Sequence, residues 1–277
     1  MDFKVTTLVE NSVYTGKGLI GEHGISFLIE TKNKRKILFD TGQGKALFNN
    51  AKLLGLDLNK IDAVVLSHGH YDHTGGIKGL LDYNKSFKFI AHPDIFAHKL
   101  AIRDNQERYI GAPFNKDFLE KAQINLQISR EPFEIAEGII TTGEIPMKTE
   151  FETVEPVFYI KEKKQNVPDP LADDSSLILD TKKGLVVLLG CCHRGLINTL
   201  KHVVDLTGNK KIYAIMGGLH LGQASDMKLK QIIGCLREFD VKRIGVSHCT
   251  GMPATLAFFN GLPGRVFLNT TGCVEIF

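Results

Sequence analysis

An α/β sandwich in four layers, helix, sheet, sheet and helix, is what this 277-residue sequence predicts. Three observations lead there. The first forty residues cluster like strands, the second half alternates apolar runs with helical spacing, and four of the strand-like runs are followed at once by a histidine.

Lys4 to Glu10 reads as a strand, and 24–30 and 35–39 read as a hairpin around a lysine-rich tip. After the punctuation Asp40-Thr41-Gly42-Gln43-Gly44, Ala46, Leu47, Leu53 and Leu54 fall at helical spacing, closed by Gly55. A buried strand follows at 61–66, then Thr74 as N-cap of a short helix to Leu81, then a strand at 87–91. Between 96 and 152 the pattern weakens around the polar run 103–108, which predicts a lid or insertion within one domain spanning 1–277. Beyond it the expected order is strands at 157–160, 176–180 and 185–189, helix 196–206, strand 211–216, helix 226–239, strand 242–247 and a final strand at 274–277.

Composition narrows the class. Hydrophobic residues at 43% and charged residues at 23% describe an ordinary globular chain, and a net charge of +3 requires no nucleic-acid partner. No apolar run reaches the eighteen or so residues that span a bilayer, and no signal-peptide pattern opens the chain, so no membrane association and a cytoplasmic location are expected. Five cysteines, an odd number, fit a reducing compartment better than a disulfide framework. Cys191 and Cys192 read as buried thiols, with metal ligation beside His193 as the alternative.

The chemistry concentrates in Ser67-His68-Gly69-His70-Tyr71-Asp72-His73-Thr74-Gly75-Gly76. Imidazole and carboxylate suit zinc first, with iron, manganese or cobalt as alternatives, and an open set leaves a position for water or substrate. His68 and His70 point to one side of an extended turn by the period of two, while Asp72 and His73 lie further round and reach a second ion. One or two divalent ions are therefore expected. His193, His220 and His248 follow strand ends and belong to the same rim, because sites in α/β sheets form where loops converge at the carboxyl ends of strands. Asp72 doubles as ligand and proton acceptor in this reading, and His220 is the second catalytic candidate, binding substrate or orienting a ligand. Asp40 is assigned to hydrogen bonds that hold a ligand imidazole in its tautomer. His23, His92, His98 and His202 lack a local partner ligand and read as ordinary structural histidines; Lys45, Arg103, Arg108 and Arg194 read as solvated residues able to meet an anion.

This decapeptide resembles the signature of the metallo-β-lactamase superfamily, and Leu38-Phe39-Asp40-Thr41-Gly42 is similar to its first conserved element. Gly190-Cys191-Cys192-His193-Arg194-Gly195, Gly217-Gly218-Leu219-His220-Leu221 and Ser247-His248-Cys249-Thr250-Gly251 resemble the branch that contains 7,8-dihydropterin-6-methyl-4-(β-D-ribofuranosyl)aminobenzene 5′-phosphate synthase. The resemblance implies a four-layer αββα metallo-β-lactamase-like fold with the metal centre at the sheet edge. It implies His68 and His70 on a first ion, Asp72, His73 and His248 on a second, and His193 where relatives place a bridging aspartate. A neutral imidazole there implies lower occupancy at one position or a metal other than zinc, and Asp174 becomes a further candidate ligand.

The function implied is a hydrolase or transferase using metal-bound hydroxide or a metal-polarised oxygen on a phosphate- or ester-bearing, anionic small molecule related to dihydropterins. Two alternatives stand beside it. One is a di-iron redox enzyme, disfavoured because those relatives carry carboxylates at the positions of His70 and His193; the other is a metal-containing binding or sensor protein without turnover. The sequence leaves the oligomeric state open, with a homodimer compatible with it, and specificity is expected in the loops at 96–152 and 162–174.

Overall fold

Two seven-stranded sheets and one of four strands carry the computed structural model, which describes residues 3–14, 16–239 and 241–277. The first sheet runs Val274–Ile276, Phe3–Val9, Ser26–Thr31, Lys36–Phe39, Ala63–Val65, Lys88–Ala91 and Asn125–Ile128 in spatial order. The second runs Val266–Leu268, Arg243–Ser247, Ile212–Gly218, Gly184–Leu189, Ser176–Thr181, Ile139–Thr141 and Phe133–Ala136. In each, an antiparallel half joins a parallel half, and the parallel strands end at the metal-motif rim.

Burial by alternate residues explains the four layers. Ile37, Phe39, Val65, Val186, Leu188 and Met216 pack in one cluster that draws on both sheets. Leu38, Val64 and Leu66 face the other way, onto Ala46 and Leu47 of helix Lys45–Leu53 and Ile77 and Leu80 of helix Ile77–Tyr83. Leu185, Val187 and Leu189 face helices Leu196–Thr207, Asp226–Glu238 and Met252–Gly261. A side chain period of two thus sends neighbouring residues of one strand into different layers, and strands buried on both faces read as continuous apolar runs. The αββα sandwich is the architecture observed. Among the described residues no helix is long and apolar enough to cross a membrane.

The segment 96–152 is shared among all three sheets. Strands Lys99–Arg103 and Gln106–Tyr109 form a hairpin in the small antiparallel sheet with Phe158–Glu162 and Gln165–Pro168, while 125–128 joins the first sheet and 133–141 the second. The polar run 103–108 is the hairpin tip: Asp104 and Asn105 both take left-handed backbone, φ 50° and 60°, the geometry of a tight hairpin turn. Its second strand is exposed throughout, so no apolar alternation marked it.

Thr74 does not cap a following helix. It closes the one-turn helix Tyr71–Thr74, where its hydroxyl donates to the His70 carbonyl at 2.9 Å, and the next helix starts at Ile77. Gly75 separates the two because a Cβ there would lie 2.5 Å from the Gln43 carbonyl oxygen. Helix Met252–Gly261 was not read from the sequence, since apolar residues surround it and Pro253 opens it; proline is tolerated in a first turn.

Candidate metal centre and substrate pocket

The parallel strands Ala63–Val65, Gly184–Leu189, Ile212–Gly218 and Arg243–Ser247 deliver His68, His193, His220 and His248 to one rim. His68 Nε2 lies 2.9 Å from His70 Nδ1 and 3.2 Å from His193 Nε2. All three rings are buried. Burial, followed by neighbouring cationic groups, holds each of them well below the ordinary histidine range, so they face one another as neutral imidazoles. Ser67 Oγ lies 2.9 Å from His68 Nδ1, which leaves His68 Nε2 to the group.

A second group forms around Asp72. Its Oδ2 lies 3.2 Å from His23 Nε2, 3.4 Å from His248 Nε2 and 3.9 Å from His73 Nε2. Burial pushes the Asp72 carboxyl up, but His73, His23 and His248 more than offset this and hold it well below the ordinary range. His248 is oriented from behind, its Nδ1 3.0 Å from Asn11 Oδ1 and its backbone N–H donating to Glu10 at 2.6 Å. His73 Nδ1 meets Asp40 Oδ2 at 2.6 Å, and Asp40 also accepts the Ser67 amide and hydroxyl, both at 2.7 Å. Asp40 thus takes the orienting position its sequence context suggested. Asp40, Cys192, His220 and His248 all have left-handed backbone, φ 47° to 60°, a clustering of strain around one centre.

The two groups fit a divalent cation. Three neutral imidazole nitrogens within contact of each other cannot all be satisfied by shared protons, and His70 Nε2, His193 Nδ1 and His248 Nε2 are buried with no hydrogen-bond partner. Nitrogen and carboxylate donors converging in this way suit zinc and its neighbours in the first transition row.

Several residues stand where sequence reasoning did not put them. His193 joins His68 and His70 rather than standing between the two halves; the residue between them is Cys191, whose Sγ is 3.1 Å from His73 Nε2. The available signal was proximity: Cys191 stands two residues from His193 in the loop that follows strand Gly184–Leu189. His23 reaches Asp72 from a loop anchored by Glu22, whose carboxylate accepts the amides of Gln43 through Ala46 at the start of a helix; nothing local to His23 indicated this. Asp174 joins no donor group among the described residues; its Oδ2 accepts the Arg194 amide at 2.9 Å, fixing the loop that bears His193. His220 lies beside His193, ring centroids 4.1 Å apart, and bonds Glu155 at 3.3 Å. His92 bonds Glu144, His202 donates to the Thr142 carbonyl and His98 packs on Tyr109.

Above the centre opens a cavity of about 570 Å³. Its floor carries His70, Asp72, His193 and His248, and Arg103 and Arg108 stand on its wall. The hairpin bearing both arginines is tied to the metal motif through the Tyr71 amide, which donates to Ile110 at 2.9 Å. It is tied again through buried Lys99, whose Nζ meets Asp169 at 2.7 Å and Asp173 at 2.8 Å, while Asp173 accepts the Gly69 amide at 2.7 Å. Lys45 lies at a helix start instead, and Arg194 donates to the Pro170 carbonyl.

Residues 21–177 match the model of the metallo-β-lactamase superfamily. The chain is 35% identical over 268 residues to 7,8-dihydropterin-6-methyl-4-(β-D-ribofuranosyl)-aminobenzene-5′-phosphate synthase of Methanocaldococcus jannaschii, covering 93% of this chain and 90% of that protein. Among solved structures it is similar to Tm1679, described as a metal-dependent hydrolase of the β-lactamase superfamily, with a TM-score of 0.85, 27% identity, and 99% and 98% of the two chains covered. Zn(2+)-bound PqqB from Methylobacterium extorquens shares the fold at a TM-score of 0.58 and 13% identity, over 98% and 99% of the chains. Motif, architecture and whole-chain similarity agree: the chain belongs to the metallo-β-lactamase superfamily.

Proposed function

We propose that this protein is a metal-dependent hydrolase or transferase acting on an anionic, phosphate- or ester-bearing small molecule related to dihydropterins. The observation that carries this reading is the convergence of two donor groups, buried except for His23, on the floor of a cavity walled by Arg103 and Arg108.

His68, His70 and His193 would hold one divalent ion, and Asp72, His73, His248 and His23 a second, zinc being the first choice. Such an ion supplies Lewis acidity, lowering the pKa of a water and polarising a substrate oxygen. The protein does the rest. Asp72 is anionic and lines the pocket, where its carboxylate would accept a hydrogen bond from a bound water or substrate group. Arg103 and Arg108 bind the phosphate or carboxylate of the substrate, for which the guanidinium fork is suited. Phe158 packs 5.2 Å from the His70 ring and 5.1 Å from the His193 ring, excluding water and offering an apolar face to a flat heterocycle. His220, paired with Glu155, stands beside His193 as a donor to a leaving group or product oxygen. Similarity to the synthase supports the dihydropterin class.

The test has two arms. Alanine at both His68 and His70 should abolish tight metal binding by elemental analysis, and full retention would overturn the metal assignment. The metal-loaded protein is then given a dihydropterin diphosphate with an aminobenzene ribotide, and separately a phosphodiester. Coupled product supports transfer and cleavage alone supports hydrolysis, whereas a fully loaded protein inert to both overturns the enzymatic reading.

A further inference from the structure

The two donor groups share one residue. Cys191 lies with His68 and His73 in one set of donor atoms, with His193 and His220 in another, and with His248 and Cys249 in a third, each set within 4.8 Å. No other side chain among the described residues belongs to three of these sets, and the one carboxylate present, Asp72, groups only with His23 and His248. Cys191 is buried, and its Sγ stands 3.1 Å from His73 Nε2. His193 Nδ1 and His248 Nε2, on either side of it, are buried polar atoms without hydrogen-bond partners.

Strand Ile212–Gly218 on the facing wall carries no carboxylate. It ends in glycine, and a Cβ on Gly218 would lie 2.6 Å from Cys249 Sγ and 2.6 Å from the Gly190 carbonyl oxygen. A carboxylate therefore cannot be supplied from that position without displacing the thiol of Cys249. What stands between the halves is sulfur.

Resting on the metal-centre reading given above, we propose that Cys191 supplies a thiolate shared between the His68–His70–His193 half and the Asp72–His73–His248 half. Binding replaces the S–H bond with a sulfur–metal bond; the proton leaves to water through the open pocket, and no electrons change hands. A soft donor in this position selects zinc, cobalt or ferrous iron over magnesium and manganese, which prefer oxygen.

Cobalt(II) is the probe, loaded into the wild-type protein and into Cys191→Ser and Cys249→Ser, with circular dichroism confirming that each variant is folded. The wild type and C249S should show a near-ultraviolet thiolate-to-cobalt charge-transfer band, and C191S should lack it and bind zinc at least about tenfold more weakly. X-ray absorption on the zinc-loaded wild type, which needs no variant, should show a sulfur neighbour. Cobalt bound with no charge-transfer band, a band that survives in C191S, or zinc with only nitrogen and oxygen neighbours would overturn the thiolate and leave the metal centre standing. Failure of the wild type to take up cobalt or zinc would overturn the metal centre itself.

Discussion

His73 Nδ1 lies 2.6 Å from Asp40 Oδ2, with both side chains wholly buried. The two residues are 33 positions apart, and the contact turns His73 Nε2 toward Asp72 and Cys191. Ser67 completes the arrangement by donating its amide and hydroxyl to the same carboxylate, so one aspartate holds both a ring of the centre and the loop that begins it.

Asp40→Asn tests that role. The amide keeps its size but loses the charge and one acceptor, and outer partners of ligand imidazoles are worth about 10- to 100-fold in metal affinity. Competition with a chelator should show a drop in that range at the His73 side, with far-ultraviolet circular dichroism unchanged.

Arg103 and Arg108 are exposed, so their removal should cost little stability. Arg108 lies 5.1 Å above the Tyr71 ring and bonds its hydroxyl at 3.0 Å, which aims the guanidinium at the pocket. A charged hydrogen bond to a substrate phosphate is worth about 1.5–3 kcal/mol. Arg108→Ala should therefore raise KM roughly ten- to hundredfold for an anionic substrate, with kcat and melting temperature nearly unchanged.

Lys99 carries the link between the arginine hairpin and the metal motif. Lys99→Met leaves Asp169 and Asp173 buried without their cation, and breaking such a pair costs about 3–5 kcal/mol. Urea unfolding should show a loss of that size, whereas a midpoint equal to the wild type would show that the buried lysine is not needed.

Glu144 gives a pH dependence away from the centre. Partial burial pushes its carboxyl up, but hydrogen bonds from His92 and Arg130 more than offset this and leave it below the ordinary value of 4.5. A carboxyl lowered in the native state stabilises above its unfolded value and loses that contribution as pH falls through the native value. The stability difference between wild type and Glu144→Gln should thus begin to shrink as pH falls toward the unfolded value of 4.5 and vanish only once pH lies below the lowered native value. Its size should stay under ~1 kcal/mol, because the group is mostly solvated.

Local spacing made much of this protein legible. Apolar runs of period two and helical stripes of period 3.6 marked most of the two large sheets and their covering helices, because those patterns are imposed within a few residues of chain. The histidine-rich turn was legible for the same reason, its donors lying within six consecutive residues, and so was the placement of His193, His220 and His248 after strands. Exposed hairpin strands such as Gln106–Tyr109 were not, since solvent on both faces leaves no alternation to read.

Tertiary structure decided which donors meet. His193 stands 125 positions from His68 and completes its group, Cys191 stands 118 positions from His73, and His23 reaches Asp72 from a loop anchored on a helix start. Those meetings depend on strand order within each sheet and on the stacking of the two sheets. Neither leaves a trace in local periodicity, because a side chain's spacing along the chain sets its face and the crossovers between strands set its neighbours.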